Sequence, residues 1–344
     1  MENKYSIDMS FEEFKQHYQK VPVIEYPHKR TDNIGLVTVR VLAYNHINFI
    51  AQCLDGILMQ ETSFDYEVLI AEDDSNDGTR EICMKYAQKY PYKIRLLLNC
   101  RENNVSINGK ATGIFNSTYS NFSIHSKYIA MCEADDYWTD PTSLEKRVRF
   151  LEENNEFSMC FHNSIGLDEN VSNDKPKPLI KLKKDKTISH LEMVNYSSPT
   201  STIVYRNGFI NKFDHSMTQI LCGDAILKGK LSLIGHARYI NSIRPAIYRY
   251  HDGGIWSSIN MIEQINHSLK AWKYLITKVF RGTERGQESI RAISYKYLSL
   301  FVLFLVHKKT IQLGLLKSSY KYAKMGDTNL LAIGKSWFLS KLKS

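Results

Sequence analysis

The sequence predicts an α/β fold built on a mostly parallel sheet, and three observations lead there. Strand-length apolar runs alternate with helical periodicities through the first half of the chain. The alternation has the spacing of βαβ units. Acidic residues gather just beyond two of the runs, at the carboxyl ends of strands, where open parallel sheets bind their ligands.

The elements follow in order. A short amphipathic helix carrying Phe11, Phe14 and Tyr18 precedes an extended segment around Pro22 and Pro27. Leu36 to Leu42 is a β-branched run of strand length. Asn45 is placed to cap a helix in which Ile47, Phe49, Ile50, Cys53, Leu54, Ile57 and Leu58 recur at helical spacing. Tyr66 to Ala71 is a second strand. Asp77 caps the next helix, which runs to Tyr90 and is closed by Pro91. Ile94 to Leu98 and Lys127 to Cys132 are the third and fourth strands. A helix covers residues 141–155, and Phe157 to Phe161 is a further strand. Residues 170–186, lysine-rich with two prolines, read as a mobile surface loop. From Ile259 onward the pattern is helical and basic. The expected division is an N-terminal extension (1–34), a sheet-based domain (35–258) and a helical C-terminal region (259–344).

Composition narrows the class. A chain of 344 residues, 43% of them hydrophobic, buries a sizeable core. The formal charge of +9 draws anions without choosing among nucleic acid, anionic lipid and phosphorylated substrates. The six cysteines are scattered, with no paired spacing, and fit a reducing, cytoplasmic compartment. The first twenty residues lack the apolar core of a secretory signal. No apolar stretch reaches the ~18 residues of a membrane span.

Two acidic loops carry chemistry. The loop after the second strand reads EDDSNDGT from Glu72. Ser75, Asn76 and Asp77 suit a turn and a helix cap, but Glu72 and Asp73 repel each other at a strand end and ask for another reason. A carboxylate there can accept from the imide N–H of uracil or thymine. The loop after the fourth strand reads EADDYWTDP from Glu133. Its acids read either as a solvated turn before a helix opened by Asp140 and Pro141, or as hard oxygen ligands for a divalent cation on a diphosphate. Further on, Asp224 in the run Cys222, Gly223, Asp224 is either a helix N-cap or a carboxylate facing a cleft. His251 ends a strand before the flexible Asp252, Gly253 and Gly254.

Together with VLAYNH (41–46), these motifs resemble those of family 2 glycosyltransferases of GT-A fold, in particular bacterial members that build surface polysaccharides. The resemblance runs from about Val37 to Ser258. It implies a Rossmann-like GT-A sheet flanked by helices, with the C-terminal helices as an extension. It implies Tyr44 lining the nucleobase pocket and Asp73 accepting from a uracil-like imide. Glu133, Asp135 and Asp136 would form the D-x-D region reaching ribose and metal, with Glu where the family more commonly has Asp. Lys110 matches a glycine-lysine pair of close relatives near the diphosphate. Asp224 matches the catalytic base, and Asp135 and His251 the ligands of Mn²⁺ (or Mg²⁺); an imidazole in the set favours Mn²⁺.

The implied activity is an inverting, metal-dependent transfer of a sugar from a nucleotide-sugar, with UDP as the expected nucleotide, to a saccharide or lipid-linked saccharide hydroxyl. A nucleotidyltransferase would carry a glycine-rich segment after the first strand, where this chain has AYNHIN. A non-catalytic nucleotide- or carbohydrate-binding relative would not keep Asp73, Asp135 and Asp224 together. No nucleic-acid-binding motif is present. The basic tail, with Lys308, Lys309, Lys335, Lys341 and Lys343 around Trp337 and Phe338, fits a peripheral helix on the inner face of the membrane. It fits equally a cap packed on the domain. Sugar, acceptor and oligomeric state are not legible.

Overall fold

A computed structural model of the chain describes residues 9–29, 35–107, 109–169, 176–194, 196–208, 213–254, 259–307 and 313–325. The elements are α1 (Phe11–Tyr18), β1 (Ile24–Glu25), β2 (Val37–Ala43), α2 (Ile50–Leu58), β3 (Tyr66–Glu72), α3 (Thr79–Lys89), β4 (Ile94–Leu98), β5 (Ser106–Ile107), β6 (Lys110–Ala111), α4 (Ile114–Phe122), β7 (Tyr128–Met131) and α5 (Ser143–Glu153). They continue with β8 (Phe157–Phe161), β9 (Ser164–Asp168), β10 (Lys177–Pro178), β11 (Lys186–Ile188), α6 (His190–Met193), β12 (Val204–Arg206), α7 (Gly223–Ser232), β13 (His236–Tyr239), β14 (Ala246–Tyr250), α8 (Met261–Tyr274), α9 (Glu284–His307) and α10 (Leu313–Met325).

The main sheet has the order β1-β4-β3-β2-β7-β12-β8-β13-β11. Strands β4, β3, β2 and β7 are parallel neighbours, as βαβ crossovers require. Strand β12 inserts antiparallel between β7 and β8. A smaller sheet, β10-β9-β14, stands beside it, and there β14 runs parallel to β9.

Alternation on β2 shows how the layers form. Val37, Val39 and Val41 face a core shared with Ile50, Leu54 and Ile57 of α2, Cys83 of α3 and Leu144 and Val148 of α5. The opposite face of the sheet packs Leu69, Ile129 and Met131 against α6 and α7. Helix α1 docks on α4 through an aromatic cluster of Phe14, Phe115, Phe122 and Phe213. Helices α8, α9 and α10 share a separate core around Trp272, Leu275, Phe280, Ile293 and Tyr297.

Three expectations need correction. Asn45 caps no helix: α2 begins after Phe49 without a side-chain cap, and Asn45, in the left-handed region at φ 54°, instead bonds the next loop. The reading of 170–186 as one mobile loop is also too simple. Residues 170–175 lie outside the described residues, but β10 pairs with β9 and Ile180 is buried, its N–H and C=O both bonded to the Asn163 side chain. Asp77 acts from one position earlier than expected: Gly78 is the N-cap of α3, and Asp77 accepts from the Thr79 N–H at 3.0 Å. Of the described helices, none is long and apolar enough to cross a membrane. The tail beyond 325, and the side chains of 301–314, lie outside the described residues.

Gly56 sets how closely α2 approaches the acidic loop after β7. A Cβ there would meet the Trp138 carbonyl oxygen at 2.8 Å and the Trp138 nitrogen at 3.1 Å, both backbone atoms. Gly56→Ala is expected to cost about 1–3 kcal/mol through overpacking. Urea denaturation would show it as a lower midpoint with an unchanged slope; a wild-type midpoint would mean that the loop yields freely.

Candidate active site

Each acidic loop divides its carboxylates between structure and site. After β3, Glu72 is fully buried and turned inward, where it accepts from Arg80 Nε and from the Ser75 N–H at 2.7 Å. It thereby fixes the turn that Asp74 enters at φ 64°. Asp73 faces the other way. One of its oxygens accepts from Arg101 Nη1 at 2.5 Å and Asn104 Nδ2 at 3.0 Å. The other, Oδ1, is buried with no partner among the described residues. Burial pushes Asp73 up to about 6 against the opposing pull of Arg101. The Arg101 guanidinium lies 3.7 Å from the Tyr44 ring centroid, so Tyr44, Arg101 and Asp73 form one continuous polar and aromatic wall.

The loops after β2 and β3 are laced together. Asn45 N–H donates to Ser75 Oγ at 2.9 Å, His46 N–H to Thr79 Oγ1 at 2.7 Å and Ile47 N–H to Asp77 Oδ2 at 3.0 Å. The Asn76 N–H returns a bond to Asn45 Oδ1 at 3.1 Å. The wall is therefore held by bonds that form before any ligand arrives.

After β7, Asp136 is the inward carboxylate. It is buried and accepts from the Ser201 hydroxyl and from the Arg249 N–H at 3.0 Å. Burial, with the Asp135 charge beside it, raises its pKa well above the ordinary value. It is thus set apart from the outward-facing acids with which the sequence grouped it. Asp135 points outward: Oδ2 lies 3.1 Å from His251 Nε2 and 3.9 Å from His46 Nε2. The ligand atoms of His46, Asp135 and His251 all fall within 4.8 Å of one another. Burial alone would raise Asp135; the His251 hydrogen bond and the two imidazoles outweigh it and hold the carboxyl below its usual value.

This trio fits a divalent cation. Burial lowers the His46 pKa against the pull of Asp135 and so favours the neutral ring, and its Nδ1 is buried without a partner among the described residues. His251 Nδ1 accepts from the Gly253 N–H at 3.2 Å and Nε2 faces Asp135 at 3.1 Å. Holding a cation through Nε2 would require the ring proton to move to Nδ1 and the Gly253 bond to give way. Two imidazole nitrogens and one carboxylate suit Mn²⁺ better than oxygen-preferring Mg²⁺. His46 went unread in the sequence; its only signal was its position just past the end of β2.

On the other side of Glu133 a cavity of about 900 Å³ opens, lined by Glu133, Asp224, Arg40, Tyr196 and Trp272 among others. Asp224 sits in the first turn of α7, whose N-cap is Cys222, so its carboxylate is not used as an N-cap. Its Oδ2 pairs with Lys228 Nζ at 3.1 Å, and Lys228 also donates to the Tyr196 carbonyl at 3.1 Å. Lys110 lies in β6, but its side chain is outside the described residues. Cys53, Cys83, Cys132, Cys160 and Cys222 are buried, and all six cysteines are free.

With this geometry in hand, comparison places the chain. The family model "Glycosyl transferase family 2" matches residues 38–211. The chain belongs to glycosyltransferase family 2. An uncharacterised protein of Mycobacterium bovis is 31% identical over 217 residues, 63% of this chain and 59% of that protein. A putative glycosyltransferase, EpsE of Bacillus subtilis, is 29% identical over 133 residues, 39% of this chain and 44% of EpsE. The alignments thus span less than two thirds of these relatives. Among solved structures, S. aureus TarS 1–349 in complex with UDP-GlcNAc superposes with a TM-score of 0.55 at 15% identity, covering 84% of this chain and 80% of that one. That likeness confirms the GT-A fold of the family.

Glu133 links the two halves of the site and gives it a pH signature. Burial, together with Asp135 and Asp224, pushes its carboxyl up to about 7 against the pull of Arg40. Because the folded pKa is raised, the stability this group contributes is complete below its ordinary value near 4.5 and is lost as pH rises through about 7. Without added metal, Glu133→Gln is expected to exceed wild type by about 1–3 kcal/mol at pH 8 and to match it at pH 4. Urea denaturation at both pH values measures this; a pH-independent difference would show that Glu133 titrates normally.

Proposed function

We propose that this glycosyltransferase is a metal-dependent, inverting enzyme that moves a sugar from a UDP-sugar to a hydroxyl of a saccharide or lipid-linked saccharide acceptor in surface polysaccharide synthesis. The carrying observation is the position of Glu133. It lines the cavity together with Asp224 and lies two residues before Asp135 of the imidazole–carboxylate trio. A donor diphosphate and an acceptor hydroxyl would meet across it. The catalytic unit we assign is 35–258.

In this reading Tyr44 and Arg101 flank the base, and the unpartnered Oδ1 of Asp73 accepts from the imide N–H of uracil. The UDP and UDP-GlcNAc complexes of TarS support a uracil donor. Asp135, His46 and His251 would hold the cation, which when bound supplies a Lewis acid beside the diphosphate. Asp224 takes the proton from the acceptor hydroxyl as that oxygen bonds to the anomeric carbon and the bond to the diphosphate oxygen breaks. Lys228 holds one oxygen of Asp224, a residue that lines the cavity. Attack from the face opposite the leaving group inverts the anomeric centre.

Calorimetry with UDP, GDP, CDP and ADP tests the donor side. UDP with Mn²⁺ is expected to bind best, by about ten- to a hundred-fold, since a buried acceptor left unpaired costs ~1–3 kcal/mol. Asp73→Ala should remove that preference, and EDTA or His251→Ala should weaken UDP. Equal affinities across bases would take Asp73 out of the pocket.

Asp224→Asn tests the base. UDP affinity should stay near wild type while kcat falls by roughly 10²-fold or more, the usual worth of a general base. A loss confined to stability, with kcat retained, would return Asp224 to a structural role.

A further inference from the structure

Arg40 has no part in the reading above, and its placement is unusual. It lies in the middle of β2, between parallel strands β3 and β7, at a position where a central strand ordinarily carries an apolar residue. It is only 5% exposed, yet it lines the cavity beneath Glu133 and Asp224. Its Nη1 donates to Asn121 Oδ1 at 2.6 Å and, more weakly, to Ser117 Oγ at 3.4 Å, both neutral acceptors. Its Nε–H is buried and has no acceptor among the described residues.

The guanidinium is hydrogen-bonded only to neutral groups, and Glu133 offsets its charge without a hydrogen bond, so its lost hydration is only partly compensated. Its remaining donors form a planar fork that matches a carboxylate or a phosphate. The lining adds to this. Lys228, Lys230 and Lys296 join Arg40 around the cavity, against the carboxylates of Glu133 and Asp224. Lys228 is paired with Asp224. The volume of about 900 Å³ is ample for a sugar residue and its substituents.

We propose that this cavity is an acceptor subsite for an anionic group, a carboxylate or a phosphate, received by the guanidinium of Arg40. The proposal rests on the reading of Asp224 as the group that faces the acceptor. It names the acceptor's chemical class: a sugar or polyol that carries negative charge within one residue of the hydroxyl to be glycosylated. Asn121 and Ser117 on α4 hold the guanidinium in place. Glu133 acts on Arg40 through space without a hydrogen bond among the described residues, and the anion takes up the donors it leaves unused.

The test uses the full chain with Mn²⁺ and UDP, titrated with methyl β-D-glucuronide, sn-glycerol 1-phosphate and the neutral methyl β-D-glucoside. At least one anionic probe is expected to bind about tenfold or more tightly than the glucoside, as charge-assisted hydrogen bonds allow. Whichever anion wins identifies the carboxylate or the phosphate as the group received. Arg40→Met should bring the probes to within about twofold of each other. Should that variant fail to fold, Asn121→Asp serves instead: it supplies the missing charge from within, so anion preference should vanish while the melting temperature holds or rises. No anionic preference in wild type, or a preference that survives either substitution, overturns the proposal. UDP calorimetry on the same samples reports the donor site separately. A wild-type protein that binds no UDP would remove the uracil donor, and the anion comparison among the three probes would still decide the acceptor subsite.

Discussion

The site depends on one buried junction, the carboxylate of Asp136 against the backbone N–H of Arg249. Through it the loop after β7 is fastened to β14, a strand more than a hundred residues later. The Arg249 side chain extends the junction. Its guanidinium donates to the Asp135 carbonyl at 2.5 Å, to Glu169 at 2.8 Å and to Gln52 of α2, and it lies over the rings of Phe49 and Tyr137. Ser201, the second partner of Asp136, also accepts the Glu133 N–H at 3.1 Å and so draws in the segment before β12. Five distant pieces of chain meet on two side chains. A fully bonded buried network of this kind is rigid because every alternative arrangement strands a polar group.

The same logic explains why acids come in adjacent pairs at both strand ends. One member of each pair is structural: Glu72 closes its turn with Arg80, and Asp136 ties its loop to β14. The other member, Asp73 or Asp135, is thereby aimed outward. At the end of β3 the alternation of successive strand side chains sends Glu72 inward and Asp73 outward. After β7 a turn closed by the Asp136 N–H on the Glu133 carbonyl separates Asp135 from Asp136. Charge repulsion between neighbours is offset by Arg80 at Glu72, Arg101 at Asp73 and the imidazoles at Asp135. Asp136 is held instead by hydrogen bonds from Ser201 and the Arg249 N–H, and its carboxyl is pushed upward.

Much of this was legible in the sequence, and the omissions have physical causes. Strands β2, β3, β4, β7 and β8 stand out because a parallel sheet covered on both faces demands uninterrupted apolar runs. Helix α4 was missed: Asn116, Ser117, Thr118, Ser120 and Asn121 are weak helix formers, and Asn116 is there to bond the Ala71 carbonyl at 2.8 Å. Strands β10, β11 and β12 are only two or three residues long, and β9 (SIGLD) and β13 (HARY) lack an uninterrupted apolar run. Strand β12 is fixed by its two neighbours more than by its own residues. Among the site residues, acids in motifs were visible. His46, Arg101 and Arg40 were not, because each draws its meaning from a partner far away in the chain: Asp135, Asp73 and Asn121 respectively.

The sequence separation of the His46, Asp135 and His251 cluster has a consequence for how the chain matures. Its first and last members are brought together only after the strands between them have paired and β14 has docked. A partly folded or partly synthesised chain that lacks β14 therefore has no such cluster, and a ligand held there has nothing comparable to bind in the unfolded ensemble. A cation held there would act by mass action on the whole folding equilibrium. The closing of β14 and the capture of the ion would then be a single thermodynamic event, with the cation as a latch on the finished fold.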